Sequence, residues 1–124
     1  MTADKDAYRG ALEAVDRILN RGGNADDVLR EVVATLHERA GFSWAGIAFV
    51  EGDGLLLGPA AGSRGSEASS TPVAYEGRKV AALVVEPAPA VGDADARAFL
   101  DRVATLVSAH CLVGWDTGGE PWQP

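Results

Sequence analysis

The chain has few of the residues and segments on which several classes of protein depend. It holds one cysteine among 124 residues, so no disulfide can form within it, and a reducing cytoplasm is the expected compartment. No apolar run approaches the length of about eighteen residues that a membrane-spanning helix needs, and the N-terminal stretch lacks the apolar segment of a secretory signal. We therefore expect a cytoplasmic protein with no membrane partner.

Basic residues are also scarce. Eleven Lys and Arg stand against eighteen Asp and Glu, which gives a formal net charge of −7 at pH 7. The basic residues form no stripe or cluster of the kind that binds a phosphate backbone, so no nucleic-acid partner is expected. The acidic side chains are predicted to lie on solvent-facing surfaces, where they maintain solubility.

The motifs of common cofactor and catalytic sites are missing from the sequence. It contains no Walker motif, no zinc-ligand spacing, no nucleophile elbow and no dinucleotide-binding glycine pattern, so neither a metal nor another cofactor is predicted. Hydrophobic residues make up 47% and charged residues 23%, as is typical of a globular domain. One domain is expected over residues 1–114, followed by an irregular tail at residues 115–124 that is rich in Gly and Pro.

Apolar residues recurring at spacings of three and four predict three helices. The first covers residues 6–21, the second is capped by Asn24, and the third is capped by Asp93 and continues to Gly114. Each helix has one apolar side, so all three are expected to pack against a common core.

Two hairpins are predicted between the second and third helices. In the first, Gly54 of a Gly-Asp-Gly turn is expected to take the positive φ of a tight reversal. The second joins strands at residues 71–75 and 80–86 through a four-residue turn, and its last strand is apolar at consecutive positions, which predicts cover on both faces. The element order predicts an α+β fold, an antiparallel sheet with two N-terminal helices and one C-terminal helix on one face.

Two short motifs carry a resemblance to a known family. They are Trp44-Ala45-Gly46 and Leu57-Gly58-Pro59, and they precede the hairpin at residues 73–86. With this order of elements the chain resembles a GAF domain, the small-molecule-sensing module of many bacterial signalling proteins. Within that superfamily it looks most like the free methionine-(R)-sulfoxide reductases, which are stand-alone GAF enzymes that reduce the sulfoxide of the free amino acid.

The resemblance implies a catalytic segment that this chain lacks. In the reductases, a long segment bearing the reactive cysteines follows the strand that ends in Leu-Gly-Pro, whereas here residues 60–70 are predicted to form only a short Gly/Ala/Ser loop. Sulfoxide reduction needs an attacking thiolate and normally a second cysteine that resolves the oxidised intermediate. The single cysteine, Cys111, falls on the predicted last helix, so the chain is not expected to be an enzyme.

The binding residues that the resemblance implies are only partly present. Trp44 matches the family's pocket tryptophan, whereas the expected tyrosine is Ala48. The paired aspartates of the family fall on Val84 and Glu86, and only Glu67 lies near the position of a further glutamate. The implied pocket has therefore become mostly apolar.

Four residues are the candidates for ligand binding: Trp44, Phe49, Tyr75 and Glu86. Trp44 either stacks on a ligand or fills the core, and Tyr75 beside a turn is equally open.

Cys111 and the two histidines share apolar helix faces. Cys111 is interpreted as a buried structural thiol. His110 is open to core, interface and haem-ligand roles, of which the first two are favoured, and the same two are favoured for His37.

The leading hypothesis is a non-catalytic GAF-like sensor or protein-interaction module that forms a homodimer through its terminal helices. The alternatives are a residual sulfoxide reductase that uses Cys111 with an external thiol, and a sensor that binds a small apolar metabolite beside Trp44, Phe49 and Tyr75. Both central strands are apolar on both faces, so the short loop, the tail, a second subunit or a ligand must cover the sheet face opposite the helices.

Overall fold

The computed structural model describes residues 2–51, 54–65, 67–90 and 92–113. In chain order the elements are α1 (Thr2–Arg21), α2 (Ala25–Glu38), β1 (Trp44–Glu51), β2 (Gly54–Gly62), β3 (Ser69–Tyr75), β4 (Arg78–Glu86), α3 (Ala94–Val107) and a 3₁₀ helix (Ser108–Val113). The predicted domain boundary at residue 114 and the predicted tail at residues 115–124 lie outside the described residues.

α2 and α3 begin at their predicted capping residues, whereas α1 begins four residues earlier than predicted. The side chain of Asn24 accepts a hydrogen bond from the backbone N–H of Asp26 at 2.8 Å, and the side chain of Asp93 accepts one from the N–H of Ala96 at 3.1 Å. Each bond satisfies a donor that the first turn of a helix leaves without an intrahelical partner. No helix in the described part of the chain is both long enough and apolar enough to cross a bilayer.

The last helix is shorter than predicted. α3 ends at Val107, and the chain tightens into a 3₁₀ helix from Ser108 onward. The Ser108 hydroxyl donates to the carbonyl oxygen of Thr105 at 2.8 Å, a local side-chain bond that competes with regular helix geometry. His110 and Cys111 therefore lie on the 3₁₀ segment.

The two hairpins both depart from their predicted turns. Glu76 and Gly77 alone join β3 to β4, with φ values of 51° and 81°. Two consecutive left-handed residues are typical of a type I′ turn, whose twist matches that of the strands. The prediction for Gly54 was wrong, because this residue begins β2 with a φ outside the left-handed region.

The strands form one antiparallel sheet in the order β2-β1-β4-β3. β1 and β4 pair in the middle, so β2 and β3 lie at opposite edges. The connection between them, residues 63–68, must span three strand spacings, or about 14 Å. Six residues reach at most about 20 Å when extended, so this connection, called the crossover from here on, crosses the sheet with few residues to spare.

Hydrophobic layers cover both faces of the sheet. The three α-helices pack on one face, called the helix face, which confirms the predicted α+β arrangement. The opposite face, called the crossover face, has a smaller cluster. It comprises Trp44, Ala48, Ala82 and Val84, with Leu55, Leu57 and Ala68 packed against them. Residues 81–86 are all fully buried, so β4 is covered on both faces, as predicted.

Two glycines make room for aromatic rings. A Cβ atom on Gly46 would lie 2.7 Å from Cη2 of Trp44, and a Cβ atom on Gly58 would overlap the ring of Phe49. A glycine within a strand often marks such a close approach. Packing therefore accounts for the glycines of the Trp-Ala-Gly and Leu-Gly-Pro motifs.

We expect Gly46→Ala to lower the free energy of unfolding by about 1–3 kcal/mol, because the added methyl group displaces the Trp44 indole. Gly10→Ala in α1 is the matched control, since a Cβ atom there meets nothing within 4 Å. It should raise the free energy of unfolding by about 0.5–1 kcal/mol, as alanine is the better helix former. Urea unfolding measures both changes, and a Gly46→Ala variant as stable as the parent would contradict this account.

Candidate functional site

A buried carboxylate lies at the end of β4 on the crossover face. Glu86 pairs with Trp44 of β1, and its side chain is only 1% exposed. The residues just before it in β4 are apolar and equally buried. A carboxylate removed from water is costly unless charged or hydrogen-bonding partners surround it. The crossover supplies these partners.

Both carboxylate oxygens of Glu86 accept hydrogen bonds from the crossover. Nε of Arg64 donates to Oε2 at 2.7 Å, and the backbone N–H of Gly65 donates to Oε1 at 2.9 Å. The guanidinium carbon of Arg64 lies 4.8 Å from the centroid of a Trp44 ring, within the range of a cation–π interaction. The guanidinium therefore contacts a buried anion and an aromatic ring, while 46% of the Arg64 side chain stays exposed.

Further hydrogen bonds hold the crossover at both ends. The N–H of Ser63 donates to the carbonyl oxygen of Ser43 at 3.0 Å, and the N–H of Ala88 donates to that of Glu67 at 2.8 Å. The hydroxyl of Ser43 also donates to the backbone carbonyl of Glu86 at 3.0 Å. The crossover is thus attached to the chain just before β1 and just after β4, on either side of the carboxylate.

Gly62 directs the chain from β2 into the crossover. Its φ is 98°, and a Cβ atom there would overlap the carbonyl oxygen of Ser43 and lie 2.9 Å from Nδ1 of His37. Only glycine adopts this conformation in this space without strain. Nδ1 of His37 lies 2.7 Å from the carbonyl oxygen of Phe42, so this histidine is part of the supporting structure.

The structure brings two of the four candidate ligand-binding residues together. Trp44 and Glu86 are cross-strand neighbours on the crossover face. Phe49 belongs to the core on the helix face, and Tyr75 lies partly buried at the far end of β3, beside the tight turn. These two residues do not line the site. Arg64, which contacts both Glu86 and Trp44, was not among the predicted site residues. The only feature of the sequence that could have indicated it is that it is the one arginine in a segment of small residues.

The single cysteine lies on the other side of the sheet. Cys111 is 4% exposed and belongs to the core on the helix face. Burial raises the pKa of its thiol to about 12, so almost no thiolate forms near neutral pH.

Among the described residues, Nδ1 of the neighbouring His110 is buried without a hydrogen-bond partner. No three His, Cys, Asp or Glu side chains in the described ranges are grouped closely enough to hold a metal ion.

Comparison with known proteins shows a likeness in structure. The sequence matches no protein-family model and no curated protein. The nlh2 GAF domain of A. aeolicus in an inactive state matches with a TM-score of 0.74 at 12% identity, over 89% of this chain and 98% of that one. The free methionine-R-sulfoxide reductase from Neisseria meningitidis in complex with its substrate matches with a TM-score of 0.71 at 16% identity, over 85% and 88% of the two chains.

A third solved structure comes from a different kind of protein. The GAF domain of the Acinetobacter phosphoenolpyruvate-protein phosphotransferase matches with a TM-score of 0.65 at 15% identity, over 87% of this chain and 92% of that one. At such identities the likeness concerns the fold, which is shared by proteins of different activities. The predicted resemblance is confirmed at that level: the protein has the GAF-like fold that sensor domains and free methionine-R-sulfoxide reductases share.

Proposed function

We propose that the protein is a non-catalytic GAF-like module, a small sensor or interaction domain that works as a homodimer. The observation that supports this most is that the sheet separates the only cysteine of the chain from the Trp44–Glu86 site. A sulfoxide bound beside Trp44 would have no thiol within reach, because Cys111 is packed among the helices on the opposite face.

The state of the thiol also argues against the alternative of a residual reductase. Such an enzyme would need the Cys111 thiolate to attack the sulfoxide sulfur, and an external thiol to reduce the oxidised cysteine. With the thiol pKa raised to about 12 by burial, the attacking species is nearly absent at physiological pH.

We expect no turnover of free methionine sulfoxide in the presence of dithiothreitol, by the parent or by Cys111→Ser. Chromatographic detection of methionine measures this. In a parallel experiment, alkylation of native Cys111 should be slow and accelerate about tenfold per pH unit between about pH 7 and 10, because the thiolate fraction grows in that proportion. Fast alkylation in urea serves as the control. Turnover in the parent that Cys111→Ser abolishes would contradict the proposed function.

A surface groove between α1 and α3 supports the homodimer. The ring of Tyr8 stacks on Phe99 with centroids 4.7 Å apart, and an open groove of about 300 Å³ lies beside the pair. Leu12 borders this groove and a second one of about 250 Å³, which extends to Leu106. The terminal helices thus present two adjoining grooves that share Leu12, the first mainly apolar and the second bordered by charged residues.

The charges along the groove suit a second copy of the same chain. Arg9 and Asp95 line the first groove, and Glu13, Asp16 and Arg102 line the second. A two-fold axis brings the same patch of two subunits together, so acidic residues of one copy can face basic residues of the other. This self-complementarity is the reason that a second copy is proposed as the occupant.

Leu12→Glu should dissociate the dimer, because it replaces the apolar residue that both grooves share with a carboxylate. Light scattering should show the mass fall from that of a dimer, twice 12.8 kDa, to that of a monomer, 12.8 kDa. Val50→Glu is the matched control, since Val50 is 38% exposed and lies on the sheet, away from the groove. This variant should stay dimeric. A parent protein that is strictly monomeric at micromolar concentration would contradict the proposal.

A further inference from the structure

We infer that Trp44 and Glu86 form a recognition site for a small guanidinium compound, and that Arg64 occupies this site as an intramolecular ligand. The inference rests on the proposed sensor role and deepens it, since it names the class of ligand and the group that competes with that ligand.

The chemistry of the site is specific for a cation. The carboxylate of Glu86 is almost fully buried beside the apolar cluster of the crossover face, so it favours a positively charged partner. The ring of Trp44 beside it offers the electron-rich face on which a flat cation stacks. A guanidinium group satisfies both features at once, as the present position of Arg64 demonstrates.

Arg64 is placed so that another molecule can exchange with it. Its side chain is 46% exposed, whereas that of Glu86 is 1% exposed. The Arg64 side chain can therefore move into the solvent, while the Glu86 carboxylate stays buried. Moving the Arg64 side chain outward leaves the bond from Gly65 to Oε1 intact and removes the Nε donor from Oε2, and a new cationic donor can replace it there. The backbone bonds of Ser63 and Glu67 hold the crossover in place during the exchange.

Because Arg64 is attached to the protein through the crossover, it competes with a free guanidinium compound for the site with moderate strength. A group attached through a short segment acts on its site at an effective concentration in the millimolar range. A free guanidinium compound therefore binds weakly to the unaltered protein and more tightly once the Arg64 side chain is truncated. Ethylguanidinium is the matching probe, because it has the structure that Arg64→Ala removes beyond Cβ.

A purely structural ion pair predicts a different outcome. If Arg64 only fixes the crossover and its position is closed to free molecules, its truncation lowers the melting temperature, and ethylguanidinium neither restores it in a saturable way nor binds the unaltered protein. If the pair is an occupied recognition site, ethylguanidinium refills the vacated volume and restores part of the lost stability, as any ligand that binds only the folded state does.

The first experiment follows the melting temperature in millimolar ethylguanidinium chloride, with urea and sodium chloride at the same concentrations as controls. Arg64→Ala should melt below the parent and regain part of the difference in a saturable manner. Arg78→Ala, which removes an exposed arginine at the start of β4 and keeps Arg64 in place, should respond no more than the parent. Arg64→Ala/Glu86→Gln should not respond either, because it lacks the buried charge.

The second experiment uses the unaltered protein and stays informative if Arg64→Ala does not fold. Titration with ethylguanidinium should shift the ¹⁵N-¹H resonances of the Gly65 amide and the Arg64 Nε–H along a saturable curve. The absence of such shifts, or equal rescue of Arg78→Ala, would overturn the inference. Sulfoxide turnover or a monomeric state would overturn the proposed function instead, and neither changes this titration.

Discussion

The need to pair the buried carboxylate of Glu86 is the constraint on which the crossover and the candidate site both depend. Glu86 ends β4, whose preceding side chains are apolar and buried, and an uncompensated charge in that position would be strongly destabilising. The crossover supplies the missing partners through Nε of Arg64 and the N–H of Gly65. The same contacts place the Arg64 guanidinium over Trp44 and close the crossover face, so one electrostatic requirement determines both the path of the chain and the composition of the candidate site.

The order of the strands explains why the partners of Glu86 come from so short a connection. With β2 and β3 at opposite edges, the chain must pass over β1 and β4 in six residues, which leaves no room for additional secondary structure above the sheet. Gly62 starts this path with a conformation that other residues rarely adopt, and Gly46 and Gly58 leave space for the rings of Trp44 and Phe49. The cysteine is confined to the other face of the sheet, and this division into two faces underlies the proposed non-catalytic role.

Features that depend on local sequence were predictable, and features that depend on register were less so. Asn24 and Asp93 cap their helices through bonds that span two or three residues, and the unbroken apolar run of β4 predicted its burial on both faces. The bond between Arg64 and Glu86 joins residues 22 positions apart, and it exists only because the strand order carries the crossover past the end of β4. In the same way, the position of Phe49 on the helix face follows from the alternation of β1, which the candidate set did not take into account.

The crossover is also the direct peptide link between the two hairpins of the sheet. One end continues into β2, which packs against α2, and the other continues into β3, which packs against α3. Because this link is short, the two outer strands depend on one another: a change in the path of the crossover alters the positions of β2 and β3 together, and with them the surfaces on which α2 and α3 pack.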